Sequence, residues 1–323
     1  MVYEGSRLVE ILNIKYPLIQ APMSWVTDAR LVSAVSEAGG LGVLGPNAGY
    51  RTLTTDPKET IERMRSEIRK VRALTDKPFG LNVLLMGMGD DPLDEFTTNW
   101  ITMAAEEGVT HFVSVGNASK HAFGLMKEFG GTIIHRPLTP TVAKMREAEA
   151  LGADVLVATG YDEGGVIPAS ALGTFTVVPT MVDAVSVPVL ATGGINDRRG
   201  VKAAFALGAE GVYIGTRFIV TQESPAAHNV KNTIITSGYT DMQFVSPLQR
   251  SIRTPMADRL AALNVDKENT LDLDREISRL GGLRPGMLEG NMDEGIVSVN
   301  TGIDIIKSNP TVKELIDQLL GLD

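Results

Sequence analysis

The sequence predicts a parallel (β/α)8 barrel, and three observations carry that reading. Eight short, apolar, β-branched segments alternate with helical patterns over the first two-thirds of the 323 residues. Leu151-Gly152-Ala153-Asp154 and Leu207-Gly208-Ala209-Glu210 repeat one signature, a helix that stops at glycine and turns straight into a buried strand. The seventh and eighth segments both end in glycine-rich turns, Gly193-Gly194 and Gly215-Thr216. Strands separated by helices need crossover connections and therefore lie parallel. A closed barrel fits eight of them, and a doubly wound open sheet is the alternative arrangement.

The elements follow in order. Tyr16 to Ala21 is the first strand, and Asp28 to Ala38 has helical spacing. Leu41 to Leu44 is strand-like, and Asp56 to Leu74 is a charged helix. Phe79–Leu84, His111–Val115, Thr132–His135, Val155–Ala158, Val187–Ala191 and Val212–Ile214 complete the strands. Asn99–Glu107, Ser119–Phe129, Pro140–Leu151, Thr174–Ala184 and Arg198–Leu207 are the helices between them. After Phe218 the alternation stops. Pro225 to Asp293 shows no strand rhythm, holds helical stretches at Ala257–Leu263 and Leu271–Leu280, and reads as a helical insertion or lid over the barrel mouth. Ile296–Ile306 and Thr311–Leu320 then read as closing helices. The expected organisation is a barrel over 1–224, an insertion over 225–294, and C-terminal helices over 295–323.

Composition excludes several functions. With no cysteine there is no disulfide, thiolate nucleophile or Cys-ligated metal, and no metal site is expected. A net charge of −9 without a basic block argues against a nucleic-acid groove or an anionic membrane surface. The N-terminus has no basic segment followed by an apolar one, and no apolar run approaches the ~20 residues that span a bilayer. A cytoplasmic protein with a small-molecule substrate is expected.

The chemistry belongs at the carboxyl ends of the strands. Glycines after the last two strands let backbone amides approach an anion, so Gly193, Gly194, Gly215 and Thr216 form the candidate phosphate site. Pro22 and Met23 follow the first strand, where small residues let a planar ligand lie on backbone. Asn82, read at the end of the third strand, offers an amide that both donates and accepts. Arg136, after the fifth strand, can neutralise an anion. Gly40-Leu41-Gly42-Val43-Leu44-Gly45 matches the dinucleotide fingerprint but lies in the wrong context, since it follows a helix and its middle is the strand.

Five segments carry a family resemblance: Pro17–Met23, Ala38–Gly42, Lys77–Asn82, Ala191–Ile195 and Gly215–Phe218. In order and spacing they resemble the nitronate monooxygenase family, formerly 2-nitropropane dioxygenases. That family includes flavin-dependent enoyl-acyl-carrier-protein reductases and NADH:quinone reductases. The resemblance implies a TIM barrel with non-covalent FMN and makes a homodimer reasonable. It implies that the phosphate sits on Gly193, Gly194, Gly215 and Thr216. It places the ring near Pro22, Met23, Ser24 and Asn82, with Arg136, Thr159 and Gly165 nearby.

One position departs from the family. Members carry a Gly-His pair after the sixth strand, and that histidine serves as base or substrate contact. Here the loop is Gly160-Tyr161-Asp162-Glu163-Gly164-Gly165-Val166-Ile167-Pro168, with Val166 in the histidine position. Valine accepts no proton. Asp162 and Glu163 read as solvated loop acids, so the catalytic residue is unknown from sequence. The resemblance implies oxidation of alkyl nitronates by oxygen. The alternatives are NAD(P)H-dependent reduction of an enoyl thioester or quinone, a flavin-binding protein with little turnover, and a phosphosugar-type barrel without flavin.

Overall fold

The computed structural model describes residues 6–87 and 92–322. In chain order the barrel elements are α1 (Arg7–Leu12), β1 (Leu18–Gln20), α2 (Ala29–Glu37), β2 (Gly42–Leu44), α3 (Pro57–Leu74), β3 (Phe79–Leu85), α4 (Glu95–Glu106), β4 (His111–Gly116), α5 (Lys120–Glu128), β5 (Thr132–Arg136), α6 (Val142–Ala150), β6 (Val155–Thr159), α7 (Thr174–Val182), β7 (Val189–Thr192), α8 (Arg198–Ala206) and β8 (Gly211–Ile214). The strands run β1-β8-β7-β6-β5-β4-β3-β2, all parallel. The seam between β1 and β2 closes through the Ile19–Leu41 bridge. The Gln20 side chain reinforces it, accepting from Val43 N at 3.1 Å and donating to Val43 O at 3.3 Å. The predicted (β/α)8 barrel is therefore present.

Strand periodicity of two sorts the side chains. Ile19, Leu41, Val43, Val113, Ile134, Val155, Val157, Leu190 and Tyr213 point inward and pack as one cluster with Leu8, Leu12 and Ile14, so α1, which sequence reading missed, plugs the amino-terminal end. The alternate residues, among them Leu81, Phe112, Ile133, Leu156 and Val212, face the helices. With the bottom sealed, ligand access is left to the carboxyl-terminal mouth. Several helices start on a capping side chain: Asp28, Asp56, Asp94, Ser119, Thr141 and Asp197 each accept from a first-turn amide.

Beyond the barrel come α9 (Thr216–Ile219), α10 (His228–Thr236), β9 (Met242–Ser246), β10 (Gln249–Ile252), α11 (Pro255–Val265), α12 (Leu273–Arg279) and α13 (Val312–Leu320). Two expectations are corrected here. The stretch read as helical contains the antiparallel hairpin β9–β10, turning at Pro247-Leu248, where proline suits a turn and not a helix. Ile296–Ile306 is no helix. Its β-branched Ile296, Val297 and Val299 alternate with Ser298 in an extended strap that bridges to Ile252, and a short 3-10 turn follows at Ile303–Ile305. The strap and the insertion share a core with the rim of the barrel: Val297, Val299, Ile303, Ile252 and Met287 pack with Trp25, Val26, Ile219 and Val220.

Candidate active site

At several points the loops of the mouth come together where only glycine fits. Gly45 brings the loop after β2 onto the loop after β1; a Cβ there would lie 2.7 Å from the Met23 carbonyl oxygen. Gly42 likewise lies against the Val32 backbone, with no room for a Cβ. Close packing thus explains two glycines of the false dinucleotide fingerprint. Gly193 (φ +112°) and Gly194 (φ +70°) adopt conformations that side chains resist. A Cβ on Gly193 would also lie 2.7 Å from Thr174 Oγ1. Gly215 needs no special φ, and a Cβ there would stand 3.7 Å from Ala21 Cβ and Met23 Sδ, which joins the β8 loop to the β1 loop.

The predicted site residues occupy distinct levels. Pro22, Met23 and Ser24 are half-buried in the turn after β1, ahead of Trp25, a buried residue at φ +68°. Strain of this kind collects at binding loops. Arg136 and Thr159 close β5 and β6 on the inner face. Gly165 has φ +80° with open space beside its Cα. Thr216 starts α9, and its hydroxyl accepts from Asn300 N at 2.9 Å. Asn82 sits mid-strand in β3, not at its end, where Nδ2 donates to Val113 O at 2.8 Å and its main-chain carbonyl accepts from Trp100 Nε1 at 3.0 Å.

Thr159 tests whether this mouth fits a polar ligand. Its Oγ1 is fully buried and has no hydrogen-bond partner among the described residues. A buried hydroxyl left so is costly and expects a partner. Together with the glycine turns after β7 and β8, it fits a group bearing phosphate and ring heteroatoms.

The two loop acids are engaged by the protein, Asp162 half-buried and Glu163 buried, which corrects the sequence reading. Asp162 accepts from Thr174 N at 2.8 Å and Oγ1 at 3.0 Å, capping α7. Glu163 is buried and ion-paired with Arg136. Burial pushes its carboxyl up to about 7, against the pull of Arg136 and Arg250. Tyr213, beneath them, is held above the usual phenol range by burial. Val166 stays exposed, while its carbonyl accepts from Arg136 Nη2 at 3.3 Å.

No histidine lies in this mouth. His111 bonds Leu12 O at 3.0 Å at the sealed end. His135 faces outward, 2.8 Å from Ser114 Oγ and edge-on to Phe123. Burial lowers their pKa values to about 4 and about 3. His121 is on α5 and His228 opens α10. Among the described residues no group of three His, Cys, Asp or Glu could hold a metal, and no helix is long and apolar enough to cross a membrane.

Sequence reading missed the residues that shape the β6–α7 loop from afar. Arg250 of β10 donates to Tyr161 O and to Glu163 O, and its guanidinium lies 4.9 Å from the Tyr161 ring centre. Ile167 N donates to Leu248 O at 2.9 Å, Gly165 N to Ser298 Oγ at 2.9 Å, and Thr301 N to Asp162 O at 3.0 Å. Asn196, after β7, exchanges amide hydrogen bonds of 2.9 and 2.8 Å with Asn300. The hairpin and strap therefore fasten the loops after β6, β7 and β8. The alternation Ile296-Val297-Ser298-Val299 was the available signal for the strap.

A family model described as nitronate monooxygenase matches residues 5–321. A probable nitronate monooxygenase of Staphylococcus aureus is 33% identical over 304 residues, covering 82% of this chain and 83% of the relative. The Mycobacterium tuberculosis protein named (3aS,4S,5R,7aS)-5-hydroxy-7a-methyl-1-oxo-octahydro-1H-indene-4-carboxyl-CoA dehydrogenase is 28% identical, covering 97% of this chain and 94% of its own length. The structure of FabK from Thermotoga maritima superposes with a TM-score of 0.83 at 29% identity, over 98% of this chain and 95% of that one.

Proposed function

The chain belongs to the nitronate monooxygenase family and is a flavin-dependent oxidoreductase, and from that premise we propose that it binds FMN and oxidises alkyl nitronates with oxygen. When bound, the flavin supplies the redox chemistry, taking electrons from the substrate and passing them on. The chain's residues supply the rest. Gly193, Gly194, Gly215 and Thr216 would hold the phosphate, and Thr159 Oγ1 offers a buried hydrogen bond with no competing partner. Pro22, Met23 and Ser24 would flank the ring, with Asn82 below it and Gly165 allowing close approach from the β6–α7 loop.

The observation that carries the substrate assignment is Val166, an exposed aliphatic side chain at a mouth that holds no histidine. A neutral nitroalkane must lose a carbon-bound proton to a base before oxidation. A nitronate has already lost it and is an anion, which suits the cation of Arg136. The test compares oxygen uptake by the purified yellow protein with ethyl nitronate and with freshly dissolved neutral nitroethane. Turnover of the nitronate alone is expected, and equal turnover of both would refute the assignment.

A second reading draws on the thioester-named relative, which this chain matches over 97% of its length, and on the FabK superposition. In it the protein takes hydride from NAD(P)H and reduces an enoyl thioester or a quinone. Anaerobic mixing with NADH and NADPH separates the two: rapid loss of the visible flavin band supports the reductase.

A further inference from the structure

The Arg136 guanidinium is a cationic group on the inner face of the barrel, at the last residue of β5. Its Nη2 is shared between the Glu163 carboxylate and the Val166 carbonyl. Both partners come from the β6–α7 loop, which the hairpin and strap fasten from outside. A buried guanidinium held by a loop carboxylate and a loop carbonyl makes a receptor for a small planar oxyanion, because its fork matches two oxygens.

We propose that Arg136 is the anion-binding group for substrate, that Glu163 occupies it as an internal competitor, and that a bound oxyanion takes Glu163's place on the guanidinium while Glu163 picks up one proton from solvent. This deepens the nitronate reading by naming how the substrate's charge is received. No bond between heavy atoms changes; one solvent proton forms an O–H bond on a Glu163 carboxyl oxygen, and the site's net charge is conserved. Two carboxylate-like anions around one buried arginine repel each other, so protonating one is the lower-energy outcome. The charged and titratable groups facing Glu163 are Arg136 from β5, Arg250 from β10 and Tyr213 from β8. Arg250 is engaged with backbone carbonyls, and Tyr213 stays neutral. Glu163 is therefore the group free to change protonation near neutral pH, consistent with a carboxyl pushed up to about 7. Its role is positioning: it acts on the substrate through Arg136.

The experiment titrates the FMN-loaded protein with sodium nitrite, an O–N–O monoanion, by calorimetry from pH 6 to 9 in buffers of different ionisation enthalpy. Wild type is expected to bind about tenfold more weakly per pH unit above pH 7. It should take up close to one proton per nitrite at pH 8 and almost none at pH 6. Glu163→Gln should bind at every pH with about the wild-type affinity at pH 6, without proton uptake, and Arg136→Met should not bind. Absence of nitrite binding, a pH-independent wild-type affinity, or a pH dependence retained in Glu163→Gln overturns the proposal. If Glu163→Gln does not fold, the wild-type pH series and proton count decide alone. Nitrite binding is separable from turnover: proton-linked binding without nitronate oxidation overturns only the substrate reading, and nitronate oxidation with pH-independent binding overturns only this one.

Discussion

Arg250 Nη2 donates to the main-chain carbonyl of Glu163 at 2.8 Å, across 87 residues of sequence. The same guanidinium reaches Tyr161 O and lies against the Tyr161 and Phe244 rings. One side chain of the hairpin thus sets the path of the loop that delivers Glu163 and Val166 to the mouth. Arg250→Met keeps the apolar stem and leaves two carbonyls without a donor, which should cost about 2–3 kcal/mol. Urea denaturation would give the loss, and hydrogen exchange should rise across 160–168 while β1–β4 keep their protection.

The two turns proposed to hold the phosphate should separate by mutation. Gly193→Ala meets both a φ of +112° and a contact of 2.7 Å with Thr174 Oγ1, so it should lose about 1–3 kcal/mol of stability and most of its flavin. Gly215→Ala meets only ordinary contacts at 3.7 Å. It should keep its melting temperature and yet bind flavin more weakly if, as proposed, this turn holds the phosphate. Absorbance near the flavin band per mole of protein, beside thermal melting, checks both.

How far the sequence carried this picture depends on the range of each interaction. The eight strands were legible because each is a short, continuous apolar run bounded by turn residues, as in Val155 to Ala158, which is what a strand buried on both faces needs. Gly193-Gly194 and Gly215 were legible as rim turns because each directly follows an apolar strand run, β7 or β8. Asn82 was misplaced because nothing local marks where β3 ends at Leu85. Glu163 was misread as solvated because its side chain pairs with Arg136 of β5 and its loop is fastened by Arg250 and Ser298 of the hairpin and strap, all distant in sequence. The strap was misread as helix although its β-branched alternation was visible.

Val166→His would place an imidazole on an exposed position of the mouth. The new side chain can accept a carbon-bound proton once it is neutral, above about pH 6.5. Neutral nitroethane should then be oxidised with a rate that rises through that pH, while turnover of ethyl nitronate changes little. Steady-state oxygen uptake from pH 5.5 to 8.5 checks it, and an unchanged neutral-substrate rate would place the missing proton acceptor elsewhere.

The buried titratable groups make stability fall with acid, at a slope that Glu163 moderates. His111 and His135 are neutral in the fold down to about 4 and about 3, but protonate near 6.5 when unfolded. Between pH 6 and 5 the unfolded chain therefore binds nearly two more protons at these sites, which favours unfolding. Glu163 has the opposite sign. Its folded value of about 7 lies above the ordinary 4.5, so in the same window the folded state holds close to one proton that the unfolded state has released. The balance for the three groups is about one proton, or about 1.4 kcal/mol of stability lost per pH unit of acidification. Glu163→Gln removes the opposing group, so its slope should approach two protons, about 2.5 kcal/mol per unit. Other titrating groups contribute alike to both proteins and cancel in the difference. Urea unfolding at half-unit steps from pH 6 to 5 measures the two slopes. Equal slopes would mean that the fold does not raise the Glu163 carboxyl, and proton uptake on anion binding at Arg136 would then persist at pH 6 instead of vanishing there.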